Sequence, residues 1–310
     1  RSFRAVSHDR VIQRGADDCL VRGEFTRGSQ IWQVGIYRNR LGHRDIRLNG
    51  EICRRASNLA QLLPTLLLGP ESVDLLLGPP EVRRRFLNWG LFHVEHTFLG
   101  LWEEANRCLR QRNQLLRGKE YNESSFNTWS ARLADRANRI DDIRSAYMEK
   151  YAPLFSSVVS RISQLDDVEI LYYRGWQEDA NLLQIYEEGA EIDKKRGFTQ
   201  KGFQRADVRI MVRGQPAAKV CSRGELKALV WSMILAQGAL NAKRNMLYLI
   251  DDLASEFDVD HRRRMAGYMA QTEGQVFITG LERQALEDCC EDSNASMFHV
   301  KHGHIEPQSN

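Results

Sequence analysis

The chain has 310 residues, of which 42% are hydrophobic and 27% are charged, a balance that is ordinary for a globular protein of one or two domains. Its formal net charge of +3 is too small to indicate a nucleic-acid partner by itself. No run of about 18 apolar residues occurs and the opening RSFRAVSHDR is basic and polar, so neither a membrane span nor a signal peptide is expected.

The six cysteines are scattered and form no CxxC pair. This usage is not that of a disulfide framework or a structural zinc site, and it favours a reducing, cytoplasmic location.

Residues 1–78 are predicted to form the first part of an α/β domain. Three short segments rich in β-branched and aromatic residues, separated by turn-forming RGSQ and RNRLGH, predict a β-meander: LVRGEF, IWQVGIY and RDIRLNGEI. A leucine-rich stretch from Leu59 to Leu77 follows, and Gly78-Pro79-Pro80 ends it.

Residues 79–165 are predicted to form a helical arm. From Leu87 to Cys108, apolar residues recur in steps of four and three, which predicts one helix with a packing seam. A second helical pattern runs from Trp129 to Tyr151 and is expected to end before Pro153. Two such helices joined by a polar loop would form an antiparallel pair.

Residues 166–310 alternate strand-like and helical segments, which predicts an α/β sheet with flanking helices. The segments VEILYYRGW, DVRIMV and QVFIT have strand character, and LKALVWSMILAQG reads as a long buried helix. A basic helix at 260–271 and a final hairpin, MFHVKHGHIE, complete this region.

Two adjacent carboxylates follow an apolar strand in MLYLIDDLASEFD. Asp251 would then lie at the carboxyl edge of the sheet, where α/β proteins bind ligands, and one carboxylate there suits Mg²⁺ shared with substrate phosphates. Asp252, at the turn, could face an attacking water. The alternative is a pair of solvent-exposed loop aspartates.

A helix start at Ser222-Arg223-Gly224 is the second candidate site. Serine is a favoured N-cap, and the unpaired N–H groups and dipole of a helix N-terminus suit a phosphate. Taken alone the signal is weak, because any serine-capped helix has these properties.

Local clusters of arginine are candidates for phosphate contacts, and solvated helix faces are the alternative. The candidate DNA-binding residues are Arg83, Arg84, Arg85, Arg107, Arg110 and Arg112. In His93-Val94-Glu95-His96 the two histidines are three residues apart, which favours packing or surface roles over a zinc site.

Order and spacing give these motifs a family resemblance. A Ser-x-Gly helix start precedes the LYLIDD strand by 25 to 30 residues, and Ser255-Glu256-Phe257-Asp258 follows it. This resembles the signature motif, Walker B strand and D-loop of ABC-type ATPases. The segment LLLGPESVDLLLGPPEVRRRFLNWGLFH and the opening RSFR extend the resemblance over nearly the whole chain and make it closest to the RecF family.

The resemblance implies the head fold of an ABC-type P-loop ATPase with an inserted helical arm, and it implies ATP and Mg²⁺ as cofactors. Asp251 would hold Mg²⁺ and Asp252 would position the hydrolytic water. Ser222, Arg223 and Gly224 would contact ATP bound to the opposite subunit of a homodimer. Ser255 and Asp258 would lie at the dimer seam.

The resemblance also implies DNA repair, replication, recombination and SOS response as the setting. Single-stranded and gapped duplex DNA would be the partners, with basic residues of the arm contributing contacts, and the protein would aid recombinase loading. RecR, and less directly RecO and RecA, would be protein partners.

Three departures from the family pattern bear on ATPase competence. No glycine-rich P-loop with its lysine occurs, and in the family this loop precedes the segment that resembles RSFR. The signature begins with Cys221 and ends with Glu225 where the family usually has leucine and glutamine. Phe203 and Gln204 stand where the family usually has proline and histidine.

Two other functions stay open at this stage. Asp251 and Asp252 could serve a two-metal nuclease or phosphatase, which would need further carboxylates near the metal. The chain could also act as a DNA-binding adaptor without a P-loop.

Without a P-loop the β- and γ-phosphates have no cradle, so the 310-residue chain is expected to bind ATP weakly or not at all. Calorimetric titration with MgATP checks this expectation, and micromolar affinity would contradict it.

Overall fold

The structure is a computed structural model that describes residues 11–118, 122–241, 246–290 and 295–308. The RSFR opening lies outside the described residues.

The strands, in chain order, are β1 (Asp18–Arg27), β2 (Gln30–Asn39), β3 (Arg44–Leu48), β4 (Glu51–Ile52), β5 (Thr65–Leu68), β6 (Val168–Tyr173), β7 (Asp207–Val212), β8 (Gln215–Pro216), β9 (Met246–Ile250), β10 (Gly274–Ile278), β11 (Met297–Lys301) and β12 (His304–Gln308).

The helices are α1 (Ala56–Leu62), α2 (Asp74–Leu77), α3 (Pro80–Val94), α4 (Phe98–Arg117), α5 (Glu123–Ile162), α6 (Leu182–Glu188), α7 (Ala190–Arg196), α8 (Ala217–Val220), α9 (Arg223–Leu240), α10 (Leu253–Glu256), α11 (Val259–Ala270) and α12 (Arg283–Cys290).

A parallel sheet with strand order β10-β9-β5 organises the head. Both pairings of β9 are parallel, so the three strands end at one edge. Leu68 and Ile250 are almost fully buried, and α9 packs against β5. Apolar strands with buried side chains on a parallel sheet are what the continuous runs TLLL and MLYLI predict.

The predicted meander is confirmed as an antiparallel sheet in the order β1-β2-β3-β4. The C-terminal hairpin is also confirmed, as β11 paired with β12.

The strands β6 and β7 form where the sequence predicts them, but they belong to a different sheet. They pair antiparallel with each other, and β8 extends this second sheet, so they do not join β9 and β10. The two kinds of sheet give the mixed α/β architecture that the sequence predicts.

The prediction of a single helix from Leu87 to Cys108 is wrong, because the helix is interrupted between the end of α3 at Val94 and the start of α4 at Phe98. Glu95 has an extended backbone, and its carboxylate accepts hydrogen bonds from the Thr97 N–H at 3.0 Å and the Thr97 hydroxyl at 2.7 Å. This local turn competes with the helical hydrogen bonds and separates the two helices.

The helix end predicted before Pro153 is also wrong. Helix α5 runs through Pro153 to Ile162, over 40 residues and about 60 Å. Tyr151 and Phe155, on either side of the proline, are fully buried, and the Tyr151 hydroxyl donates to the Met233 carbonyl of α9 at 2.8 Å. Tertiary packing therefore outweighs the loss of one helical hydrogen bond.

The arm and the head share one hydrophobic core. Helix α5 packs on α4 near its start and on α9 near its end, and one cluster of buried residues includes Leu133 of the arm and Trp231 of the head. The division of the chain into 1–78, 79–165 and 166–310 remains a prediction. Within the described residues, the core is continuous across these boundaries.

Among the helices of the described residues, none is both long and apolar enough to cross a membrane.

Candidate functional site

The candidate site begins at the carboxyl edge of the parallel sheet. Asp251 follows β9, is 8% exposed, and its backbone N–H donates to the Leu68 carbonyl of β5 at 2.8 Å. The parallel register therefore places the Asp251 carboxylate among the ends of three strands, as the sequence predicts.

Thr279 completes this edge, and sequence reasoning did not select it. Its hydroxyl donates to Asp251 Oδ1 at 3.1 Å and accepts from the Asp252 N–H at 3.1 Å. Its own N–H donates to the Ile250 carbonyl at 2.9 Å. The signal in the sequence was a hydroxyl residue directly after the QVFI strand, in the position that matches Asp251 after MLYLI.

Asp252 turns the chain out of the strand with a left-handed backbone, at φ 56° and ψ 54°. Aspartate tolerates this region better than most residues, yet the conformation is uncommon and marks functional sites in many proteins. The side chain is half-buried, so the two carboxylates differ in environment although they are adjacent.

The segment after Asp252 forms the short helix α10 and then leads through Phe257 into α11. The exposed Ser255 donates its hydroxyl to the Asp252 carbonyl at 3.2 Å. Asp258 caps α11 by accepting from the His261 N–H at 2.9 Å, and hydrogen bonds from the backbone and ring of His261 hold the pKa of Asp258 below its usual value.

This segment is fixed to helix α9 by two contacts. Lys227 Nζ lies 2.9 Å from the carboxylate of Glu256, which is only 8% exposed. Two residues of the same elements, Trp231 and Phe257, pack edge to face with ring centroids 4.8 Å apart. These two contacts pack the segment 253–258 against helix α9.

Ser222 caps α9 in a capping box, as the sequence predicts for an N-cap. The Ser222 hydroxyl accepts from the Glu225 N–H at 3.3 Å, and the Glu225 carboxylate accepts from the Ser222 N–H at 2.6 Å. These bonds hold the pKa of Glu225 below its usual value. Ser222, Arg223 and Gly224 are all exposed, so the helix start faces solvent.

Glu225 thus has a structural role at the position where the sequence departs from its family. The Glu225 carboxylate is bonded to the Ser222 N–H. Arg223 and Gly224 are the first two residues of α9, and both are exposed. A glutamine could make the same hydrogen bond without the charge.

Arg112 is not a DNA contact in this structure, which corrects the sequence-based assignment. Its guanidinium is fully buried and lies 2.7 Å from Asp193, 2.6 Å from the Thr199 hydroxyl and 3.0 Å from the Ser130 hydroxyl. It also lies between the rings of Phe126 and Tyr186, 4.7 Å from each centroid. A helix face that reads as basic in the sequence therefore points one arginine into the core.

Arg83 is also turned inward. It forms a bidentate pair with Asp207, with Nε to Oδ1 at 2.7 Å and Nη2 to Oδ2 at 3.2 Å, and its side chain is 12% exposed. Arg84 is half-buried and donates to the Ala206 carbonyl at 3.1 Å. Arg85, Arg107 and Arg110 are exposed, as a phosphate contact requires.

The described residues contain no group of three His, Cys, Asp or Glu side chains placed to hold a metal ion. The two-metal nuclease hypothesis needs such a group and finds no support in this part of the chain. His93 is buried against the rings of Trp89 and Phe92, in agreement with the packing role predicted from its spacing.

Comparison with known proteins places these features in a family. Residues 1–306 match the RecF/RecN/SMC N-terminal domain. The chain is 40% identical to the DNA replication and repair protein RecF of Pseudomonas aeruginosa strain LESB58, over 98% of this chain and 84% of that protein. The chain therefore belongs to the RecF family. A RecF of the same description from Chromohalobacter salexigens is 38% identical, over 98% of this chain and 86% of that protein.

Solved structures confirm that the RecF-family chain has an ABC-type head fold. The recombination mediator protein RecF-ATP of the RecFOR pathway superposes with a TM-score of 0.83 at 19% identity, over 100% of this chain and 85% of that one. An SmcHead bound to the C-winged helix domain of ScpA superposes with a TM-score of 0.54 at 12% identity, covering 98% and 79%.

Replacing Thr279 with valine tests the bridge between the two aspartates. Thr279→Val removes the hydroxyl that pairs with Asp251 Oδ1 and the Asp252 N–H, and we expect a loss of about 1–3 kcal/mol in the free energy of unfolding. Urea denaturation measures this loss. Thr279→Ser keeps the hydroxyl and is the matched control; equal destabilisation by both variants would contradict the bridge.

Arg112→Leu tests the buried pair in the arm. It leaves Asp193 buried without its arginine, and we expect a loss of about 3–5 kcal/mol in the free energy of unfolding. Arg110→Leu, on the exposed face of the same helix, is expected to change stability by about 0.5 kcal/mol or less. Urea midpoints that coincide for the two variants would show that the pair is not a major constraint.

Proposed function

We propose that this RecF-family chain acts in DNA replication and repair as an ATP-dependent DNA-binding protein that closes as a dimer on gapped or single-stranded DNA. The observation that carries the proposal is the sheet edge, where Asp251, Asp252 and Thr279 converge at the end of parallel strands. Its relatives, named as DNA replication and repair proteins, and the fold shared with RecF-ATP support the same reading.

The residues at this edge fit Mg²⁺. The donors are a carboxylate and a hydroxyl, oxygen ligands only, and a single buried carboxylate leaves room for waters and phosphate oxygens. Asp251 would hold the ion and Thr279 would fix the rotamer of Asp251. When bound, Mg²⁺ would neutralise phosphate charge in the transition state.

Asp252 supports a different role from that of Asp251. Its carboxylate is half-buried and starts from a turn, so it can hold a water beside the metal-bound phosphate and accept its proton. The left-handed backbone of Asp252 turns the chain out of β9, so Asp252 is not held in the strand geometry that positions Asp251.

The exposed start of α9 supports a dimeric site. Ser222, Arg223 and Gly224 face solvent, so a phosphate that they contact would belong to nucleotide held by a second copy. Ser255 and Asp258, exposed on the neighbouring segment, are the proposed seam residues. The Lys227–Glu256 pair joins α9 to the segment 253–258, which follows Asp251 and Asp252. Contact of the α9 start with a nucleotide on the second copy would therefore depend on where the segment 253–258 lies.

DNA, and the protein partners RecR, RecO and RecA, remain proposals based on family. Exposed Arg85, Arg107 and Arg110 are suitable for phosphate contacts, and recombinase loading follows from the family role. A cytoplasmic location belongs to the same proposal.

Asp252→Asn tests the function in a version of the chain to which a P-loop segment has been joined. We expect ATP hydrolysis to fall by about 100-fold or more, because a general base is lost, while the ATP-dependent dimer persists. Phosphate release and sedimentation velocity with and without MgATP measure the two effects.

Asp167→Asn is the matched control, since Asp167 is an exposed aspartate with the same left-handed backbone, at φ 54°. Asp251→Asn should abolish MgATP-dependent dimerisation. A P-loop-bearing protein with Asp252 intact that binds MgATP yet stays monomeric, or an Asp252→Asn variant of it that hydrolyses ATP normally, would overturn the proposal.

A further inference from the structure

The segment from Asp193 to Arg209 contains six basic residues and two acidic ones. All six basic side chains are exposed: Lys194, Lys195, Arg196, Lys201, Arg205 and Arg209. We call residues 193–209 the basic segment. It crosses from α7 through an irregular loop into β7, and neither its spacing nor the helical patterns of the sequence selected it as a site.

Both acidic residues of the basic segment are withdrawn from its surface. Asp193 is 4% exposed and pairs with Arg112, and Asp207 is 8% exposed and pairs with Arg83. The two arginines come from α4 and α3, so the helical arm supplies the counter-charges. Arg209 Nε also lies 3.7 Å from Asp207 Oδ2, a longer contact that leaves the Arg209 side chain exposed. What remains outside is a surface of a single sign.

The loop is held in one conformation by its own contacts. The Gln200 N–H donates to Asp193 at 3.0 Å, and the Thr199 N–H and hydroxyl donate to Asn113 at 2.9 and 2.8 Å. The Arg205 guanidinium lies over the Phe198 ring, 5.5 Å from its centroid. The exposed cations therefore extend from a backbone that side-chain contacts hold in place.

An aromatic residue lies at the end of this surface. Arg209 stacks on Tyr173 of the neighbouring strand, 4.2 Å from the ring centroid, and Tyr173 is 40% exposed. Rows of cations beside exposed aromatic or guanidinium planes are the means by which proteins bind single-stranded nucleic acid. An acidic protein would need the cations but not the stacking surface.

Acidic residues border the surface at both ends. Glu191 precedes the basic segment and Glu169 lies opposite Met211, beyond Arg209. These positions limit the cationic surface to the loop and the first half of β7.

We propose that the basic segment is a binding surface for the phosphate backbone of single-stranded DNA, with Lys201, Arg205 and Arg209 contacting phosphates and Tyr173 stacking on a base. This inference rests on the DNA-binding part of the proposed function but requires no nucleotide. Arg83 and Arg112 do not contact DNA in this proposal; they position the basic segment by pairing with Asp207 and Asp193.

The test measures binding of a fluorescent 30-mer to the 310-residue chain by anisotropy, at several salt concentrations. For a single strand, each phosphate contact contributes about 0.7 to the slope of log affinity against log salt. The triple variant Lys201→Ala/Arg205→Ala/Arg209→Ala should therefore lower the magnitude of the slope by about 2. All three side chains are exposed, and thermal denaturation verifies that the variant is folded.

The control variant Arg22→Ala/Arg44→Ala/Arg47→Ala removes the same charge from exposed positions of the meander, and it should leave the slope unchanged. Equal reductions in both variants would show a general effect of net charge and overturn the inference. Absence of wild-type binding at low salt would instead overturn DNA binding itself. Wild-type binding that the basic-segment variant retains in full would overturn only this location.

Tyr173→Ala separates a nucleic acid from an acidic protein. Loss of base stacking should weaken binding of the 30-mer at least about fivefold, whereas Tyr173→Phe should bind like the wild type. If polyglutamate competes as well as unlabelled DNA and Tyr173→Ala has no effect, the surface binds acidic polypeptides and the assignment to DNA is wrong.

Discussion

Two arginines inside the protein hold together parts of the chain that are far apart in sequence. Arg83 reaches Asp207 across 124 positions and Arg112 reaches Asp193 across 81 positions. A buried carboxylate without a partner would be strongly unfavourable, so each pair requires that the arm and the segment before α9 fold against each other. The position of β7 depends on these two pairs, and β7 leads through β8 and α8 into α9.

Local sequence signals predicted the parts of the site that depend on few neighbours. Asp251 after an apolar strand and Ser222 before a helix follow from strand and capping rules, and both lie where those rules put them. The role of Thr279 depends on the register between β9 and β10, which no local pattern contains. The catalytic and metal roles of the two aspartates remain proposals.

Long-range packing explains why some sequence-based predictions were wrong. Pro153 was expected to end a helix, yet it lies inside α5, which packs against α9. Arg112 and Arg110 look equivalent in sequence, but a separation of two residues turns them to different faces of α4, one buried and one exposed. The strands β6 and β7 were predicted correctly. The sheet to which they belong follows from pairing between residues 168–173 and 207–212, which are too far apart in sequence for periodicity to connect them.

The left-handed backbone of Asp252 restricts which acid can occupy that position. Aspartate and asparagine occupy this conformation more often than glutamate, for which it costs about 1–2 kcal/mol. The backbone turn therefore favours a short carboxylate directly after β9. A longer carboxylate would add strain at the turn between β9 and the segment that contacts α9 through Lys227 and Trp231.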